Sequence, residues 1–197
     1  METVKTWGMN FIRCHSYCPP EAAFEAADRA GVYLQIECDM WNVFAPDAQM
    51  NNVLLEETKR ILDTFGNHPS FLMLSPSNEP GGDWLMPLTD WVSKCRAYDS
   101  RHLYTIQSGW PYPMEPDKIT GTDYVYFHRS GFGIQLGGTI RGPRGWNGGD
   151  YRESLKDISY PVICHELGQW CAYPDFDVID KFTGYLQPGN FEIFRES

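Results

Sequence analysis

Apolar residues gather in short runs separated by longer stretches in which they recur every third or fourth position. The runs at Asn10–His15, Val32–Cys38, Phe71–Ser75, Leu103–Gln107, Tyr124–Phe127 and Val162–His165 have the length and β-branched or aromatic content of buried strands. Between them, Pro20–Ala30 is rich in Ala and Glu and stops at Gly31, a residue suited to a helix C-terminus. Asn51–Phe65 carries Leu54, Ile61, Leu62 and Phe65 on one helical face and stops at Gly66. Trp84–Tyr98 and Tyr151–Ile158 are the next helices. The tail, Asp177–Phe194, reads as two helical pieces around Pro188-Gly189, and a Gly-rich loop spans Ser130–Gly149. Six strands alternating with helices imply a parallel sheet with helical crossovers.

Two architectures answer that pattern. A doubly wound sheet that binds nucleotides loses support, because no Gly-x-Gly-x-x-Gly or phosphate loop follows any strand. The other is an α/β barrel of the (β/α)8 type, which ordinarily needs about 250 residues. At 197 residues the chain is short of that by about two strand–helix units. The expectation is a single domain over residues 1–197, a partial barrel.

Composition narrows the partners. The formal net charge of −10 leaves no basic stripe to neutralise phosphates, which argues against nucleic acid and against anionic membrane surfaces. No apolar run approaches the ~20 residues of a membrane span, and no signal peptide is visible behind Met1. Aromatics make up 15% of the chain, with seven Trp, a supply suited to a core and to stacking flat ligands such as sugar rings. Cys14, Cys38 and Cys164 fall within strand-like runs and read as reduced core residues, not a disulfide framework. Cys14, His15 and Cys18 lack the paired spacing of a zinc site. No metal or cofactor is expected.

The chemistry concentrates at two strand ends. Glu79 follows the run Phe71–Ser75 within Ser77-Asn78-Glu79-Pro80, and Glu166 follows Val162–His165 within Cys164-His165-Glu166-Leu167-Gly168. Carboxylates just beyond barrel strands are where that fold keeps its chemistry. Two of them facing one cleft are what glycoside hydrolysis needs. The ordinary reading of a lone strand-end Glu is a surface salt bridge. By period two, Arg13 shares a face with Phe11 and His15.

Trp7-Gly8-Met9-Asn10-Phe11-Ile12-Arg13-Cys14-His15-Ser16-Tyr17-Cys18-Pro19-Pro20 resembles the second barrel strand of glycoside hydrolase family 2. Ala30–Glu37 resembles its third strand, His68-Pro69-Ser70 leading into Asn78-Glu79 its fourth, and Cys164–Gly168 its seventh. The resemblance runs from about Trp7 to Trp170. It implies a β-galactosidase-, β-glucuronidase- or β-mannosidase-like retaining hydrolase, with Glu79 as acid/base and Glu166 as nucleophile. Asn78 would bond the sugar 2-hydroxyl, Arg13 would hold Glu166 ionised and oriented, and His15 would line the pocket. Glu37 and Asp39 would bind sugar hydroxyls or pair with Arg13. Trp41, Trp110 and Trp170 follow strands and are candidate stacking platforms. His128 and Tyr126 compete for the place beside the nucleophile. His165 is expected on the opposite face, as a structural residue. Arg141 and Arg144 could recognise a uronate carboxylate.

The resemblance also accounts for the missing length. Glu2–Trp7 looks like the end of the first barrel helix, so strands two to seven are expected and two sheet edges are left exposed. A non-catalytic carbohydrate-binding or remnant barrel is the competing expectation. A serine hydrolase is disfavoured by the lack of a Gly-x-Ser-x-Gly elbow, and a metal-dependent barrel hydrolase by the lack of a His-x-His start.

Overall fold

The computed structural model of the chain describes residues 1–109, 121–128, 159–165 and 174–197. The expected loop Ser130–Gly149 and helix Tyr151–Ile158 lie outside them. A short helix α1 (Glu2–Thr6) precedes strand β1 (Phe11–Cys14), helix α2 (Glu21–Ala30), β2 (Tyr33–Glu37), β3 (Val43–Phe44) and α3 (Gln49–Phe65). There follow β4 (Phe71–Ser75), β5 (Gly81–Gly82), α4 (Leu85–Tyr98), β6 (Leu103–Tyr104), β7 (Val125–His128) and β8 (Val162–His165). A 3-10 helix (Phe176–Lys181) and α5 (Gly189–Glu196) end the chain.

The main strands are parallel and stand in chain order. One sheet runs β1-β2-β4-β6 and a second pairs β7 with β8. The two are joined by one backbone bond and several side-chain bonds where a ladder would otherwise run. Asp123 donates its N–H to the Tyr104 carbonyl at 2.8 Å and accepts the Tyr104 N–H at 2.8 Å. Thr105 Oγ1 donates to the Tyr124 carbonyl at 2.9 Å, and Gln107 Nε2 to that of Tyr126 at 3.1 Å. This is why β6 is two residues long and not the expected Leu103–Gln107. Parallel strands in sequential order with helical crossovers form the wall of an α/β barrel, although no closed ring of strands forms among the described residues.

Helices cover one face of that wall, for reasons visible in their spacing. In α4, Leu88, Trp91, Val92 and Cys95 are buried, a stripe of one helical face. Pro87 stands in the first turn of α4, where a missing N–H costs nothing. In α2, Phe24 and Ala27 are fully buried, and Gly31 closes the helix at φ 64°. Phe24 stacks on Phe65 of α3 with ring centroids 4.5 Å apart. Thr58, buried in α3, takes the Trp91 indole N–H at 2.9 Å and lies 3.3 Å from Cys38 Sγ, joining α3, α4 and β2. Together these residues form the larger core, between sheet and helices.

A second, smaller core fills the other face of the strands: Met73, Tyr124 and Tyr126, with Phe11, Leu72 and Ile163 packed against them. Leu72 joins Met73 there because the β2–β4 register slips between Leu34 and Gln35, giving β4 one extra residue. Phe11 and Arg13 do share this inner face, as period two implies.

Two features depart from the sequence pattern. β3 and β5 form a parallel pair at the C-terminal end of the main strands, with too few residues to show a period. Gly82 (φ +70°) passes so close that a Cβ there would lie 2.5 Å from the Phe44 carbonyl oxygen. The first tail piece is a 3-10 turn capped by Asp175, whose side chain accepts the Asp177 N–H, and Pro188 starts the second. No helix among the described residues is long and apolar enough to cross a membrane.

Candidate active site

The C-terminal ends of β1, β2, β4 and β8 converge on Arg13. Its side chain is 11% exposed, and the guanidinium pairs with the fully buried carboxylate of Glu37 through Nε and Nη2. Nη2 also donates to Asn78 Oδ1 at 2.6 Å, and Nη1 meets His165 Nδ1 at 2.9 Å. Four barrel strands are thereby tied to one cation. The planar fork of Arg suits this, since it presents five donors in fixed directions.

Glu37 accepts more than the guanidinium. The Ser16 N–H reaches Oε2 at 2.7 Å and Gln35 Nε2 reaches Oε1 at 3.1 Å. Gln35 Nε2 also donates to Ser108 Oγ at 3.1 Å, and Ser108 Oγ to Ser75 Oγ at 2.8 Å. Tyr124 OH donates to Gln35 Oε1 at 3.3 Å. A buried charge survives only when paired and hydrogen-bonded, and this layer supplies both. Of the two expectations for Glu37, the structure shows the ion pair, and the side chain has no surface left for a sugar. Asp39, the other candidate, is exposed.

Tyr126 is fully buried and stands under the hub, with the Arg13 guanidinium 5.9 Å from its ring centroid and the His165 ring 5.6 Å away, edge-on. Burial pushes the phenols of Tyr124 and Tyr126 well above the ordinary tyrosine range, so both are neutral. Burial, with the Glu37 charge adding to it, raises the Cys14 thiol to about 11. Burial likewise takes Cys38 to about 12. These thiols are protonated and inert at neutral pH.

Beside this layer, directly after Asn78, stands the carboxylate of Glu79. It is half-buried and its backbone is left-handed at φ 37°, one of two non-glycine residues in that region among those described; the other is Ser16 at φ 47°. Such a conformation costs roughly 1–2 kcal/mol and persists where neighbours over-determine it. They do so here. Asn78 N–H donates to the Met40 carbonyl at 3.2 Å, Glu79 N–H to the Ser108 carbonyl at 2.9 Å, and Ser108 N–H to the Ser77 carbonyl at 3.0 Å. Asn78 itself is fully buried. With Oδ1 committed to Arg13, its Nδ2 is a buried donor with no hydrogen-bond partner among the described residues.

At the rim, His15 and Trp41 meet edge-to-face with centroids 5.3 Å apart, and Trp41 is 63% exposed. The structure therefore gathers Arg13, His15, Glu37, Trp41, Asn78 and Glu79 at one end of the wall. Glu166, Trp110 and Trp170 lie outside the described residues, as do Arg141 and Arg144. His128 pairs in register with His165, and its side chain is outside the description.

That end of the wall is where α/β barrels carry their chemistry, and the sequence of the wall matches a known one. The family profile described as "Glycosyl hydrolases family 2, TIM barrel domain" matches residues 1–109. The chain belongs to glycoside hydrolase family 2.

Solved structures agree on the fold of this family 2 chain. The FMN-binding β-glucuronidase from Facaelibacterium prausnitzii L2-6 matches 88% of the chain at TM-score 0.62 and 22% identity. Bacteroides uniformis β-glucuronidase 2, covalently bound to cyclophellitol-6-carboxylate aziridine, matches 81% at 0.59 and 17% identity. A putative β-galactosidase from Bacteroides fragilis matches 66% at 0.54 and 13% identity. The chain covers 28%, 20% and 19% of those three chains, respectively. No curated protein matches the chain.

One expectation is corrected. His165 was expected to face away from the site, and instead its ring lies on the inner face against Tyr126 and Arg13. Ile163 packs against the inner core, and period two along β8 puts His165 on the same face. Gln35, Ser108 and Gly109 were not anticipated. Gln35 carried a usable signal, two residues before Glu37 on the same strand. Ser108 and Gly109 carried none.

Proposed function

We propose that this family 2 chain carries the catalytic machinery of a retaining β-glycoside hydrolase. In this reading β1, β2, β4, β6, β7 and β8 correspond to strands two to seven of a (β/α)8 barrel. Glu79 is the general acid and then the base, and Glu166 is the nucleophile. The observation that carries the reading is the Asn78-Glu79 junction. A half-buried carboxylate on a strained backbone follows a buried Asn whose amide orientation is dictated by Arg13.

The chemistry follows from that arrangement. Glu166 attacks the anomeric carbon while Glu79 gives its proton to the leaving oxygen, forming a covalent glycosyl-enzyme. Water then attacks that carbon, Glu79 takes its proton, and Glu166 leaves as carboxylate. Asn78, with Oδ1 occupied, can present only N–H to the sugar, so it serves a 2-hydroxyl oxygen as donor. Trp41 and His15 form an exposed aromatic edge at the rim, suited to a pyranose face.

The test is covalent trapping. The chain is incubated with 2,4-dinitrophenyl 2-deoxy-2-fluoro β-glucuronide, β-galactoside and β-mannoside, and peptides are read by mass spectrometry. An adduct on Glu166 with at least one probe, lost in Glu166→Ala, is the expected result. Sugar binding without an adduct would sink the enzymatic reading and leave a non-catalytic carbohydrate-binding barrel. The probes differ in sugar, so the same experiment reports which sugar is accepted.

A further inference from the structure

His165 has no place in the chemistry above, yet it is held as tightly as any residue that has. It is 5% exposed. The Tyr126 ring stands perpendicular to it at 5.6 Å. The chain also passes it as Gly109, at φ +91°, where a Cβ would lie 2.2 Å from His165 Nε2. The slot therefore admits an imidazole only because residue 109 has no side chain.

Within the slot, Arg13 Nη1 lies 2.9 Å from His165 Nδ1. Arginine has no acceptor, so Nδ1 must accept, and the ring is the neutral form with its proton on Nε2. The same guanidinium donates to Asn78 Oδ1 at 2.6 Å. One cation thus links the last residue of β8 to the Asn that precedes Glu79. Glu166 is the next residue after His165.

We propose that His165 is a positioning residue that sets Glu166 against Glu79 by fastening the end of β8 to Arg13. The inference rests on the glycosidase reading, in which both glutamates react. Among the described residues the His165 side chain meets Arg13 and Tyr126. It acts through Arg13, and what it contributes is an acceptor at Nδ1 on a strand end that must not drift. Misplacement by about 1 Å of a reacting group costs on the order of 10²-fold in rate.

The experiment compares the parent chain with His165→Leu and His165→Asn, using the three fluoro-glycosides. Asn places Oδ1 where Nδ1 stood, so it restores the acceptor without the ring, whereas Leu fills the space without it. His165→Leu is expected to slow the labelling of Glu166 on the order of 10²-fold at saturating probe. The half-saturating probe concentration should stay within about twofold, and His165→Asn should recover most of the rate. Labelling of His165→Leu at the parental rate overturns the proposal and leaves the glycosidase reading intact. Absence of labelling in the parent overturns both.

An independent readout needs no variant to fold. Long-range proton–nitrogen correlation spectra of the parent at neutral pH should show His165 neutral, with its proton on Nε2. A proton on Nδ1, or a cationic ring, overturns the link to Arg13.

Discussion

Replacing Glu37 by Gln removes one charge from the middle of the barrel wall and changes almost no volume. The carboxylate is fully buried and accepts from Arg13 Nε, Arg13 Nη2, Gln35 Nε2 and the Ser16 N–H. A Gln amide fits neither way round. Its NH2 faces Arg13 Nε and Gln35 in one orientation, or Arg13 Nη2 and Ser16 in the other. Two donors then lose their acceptor, and the guanidinium of Arg13, whose side chain is 11% exposed, loses its counter-charge. Breaking a buried ion pair from one side costs about 3–5 kcal/mol. At about 2–4 °C per kcal/mol for a chain of this size, the melting temperature should fall by about 6–20 °C. Equilibrium urea unfolding of the parent and Glu37→Gln, with both midpoint and slope fitted, measures the loss directly. The double variant Arg13→Met/Glu37→Leu removes both charges and should recover part of it, since whole buried pairs are often replaceable. Recovery stays partial because Asn78 Oδ1 and His165 Nδ1 lose their donor. A loss below about 1 kcal/mol with an unchanged slope would refute the claim that Glu37 compensates Arg13 in a dry site.

Further outcomes follow from the same geometry. Gly109→Ala puts a methyl group into the His165 ring and an L-residue at φ +91°, and overpacking with left-handed strain should cost about 2–4 kcal/mol in a thermal melt. Glu79→Gly should abolish turnover of unactivated β-glycosides while leaving unfolding free energy within about 1 kcal/mol, because relief of the φ 37° strain offsets lost contacts and added chain entropy. Asp28 fastens α2 to the segment before β4, accepting the Ser70 N–H at 2.8 Å and contacting His68 Nδ1 at 2.7 Å. Burial alone would raise its carboxyl; the Ser70 and His68 hydrogen bonds outweigh that and hold it below the usual 3.8. A depressed folded-state pKa contributes stability above the unfolded value, lost as pH falls through the folded one. Asp28→Asn should therefore be less stable than the parent at pH 7, and the gap should close below about pH 4. Urea midpoints that differ equally at pH 7 and pH 3 would contradict this.

Some of the molecule was legible because single residues report their own surroundings. Leu54, Ile61, Leu62 and Phe65, read as one helical face, do line the core side of α3. Val162–His165 is bounded in the structure as its apolar run is in the sequence. Gly31 marks a helix end because only glycine takes φ 64° cheaply. What escaped were elements held by partners far along the chain. β3 and β5 are two residues each and exist because they meet. β6 ends early because Asp123, Thr105 and Gln107 replace the ladder with side-chain bonds.

The site divides along the same line. The residue types, the strand ends that carry them and the family they belong to were determined by the sequence, since pattern and motif are local. Which partner each charged group takes was decided by the tertiary structure. Arg13 reaches Glu37, Asn78 and His165 across separations of 24, 65 and 152 residues. Chain order holds no record of which of several possible acceptors a guanidinium will face. Parallel strands bring their C-terminal ends to one side, and in that dry space the cost of an unpaired charge selects the arrangement in which the Glu37 carboxylate and Arg13 compensate each other.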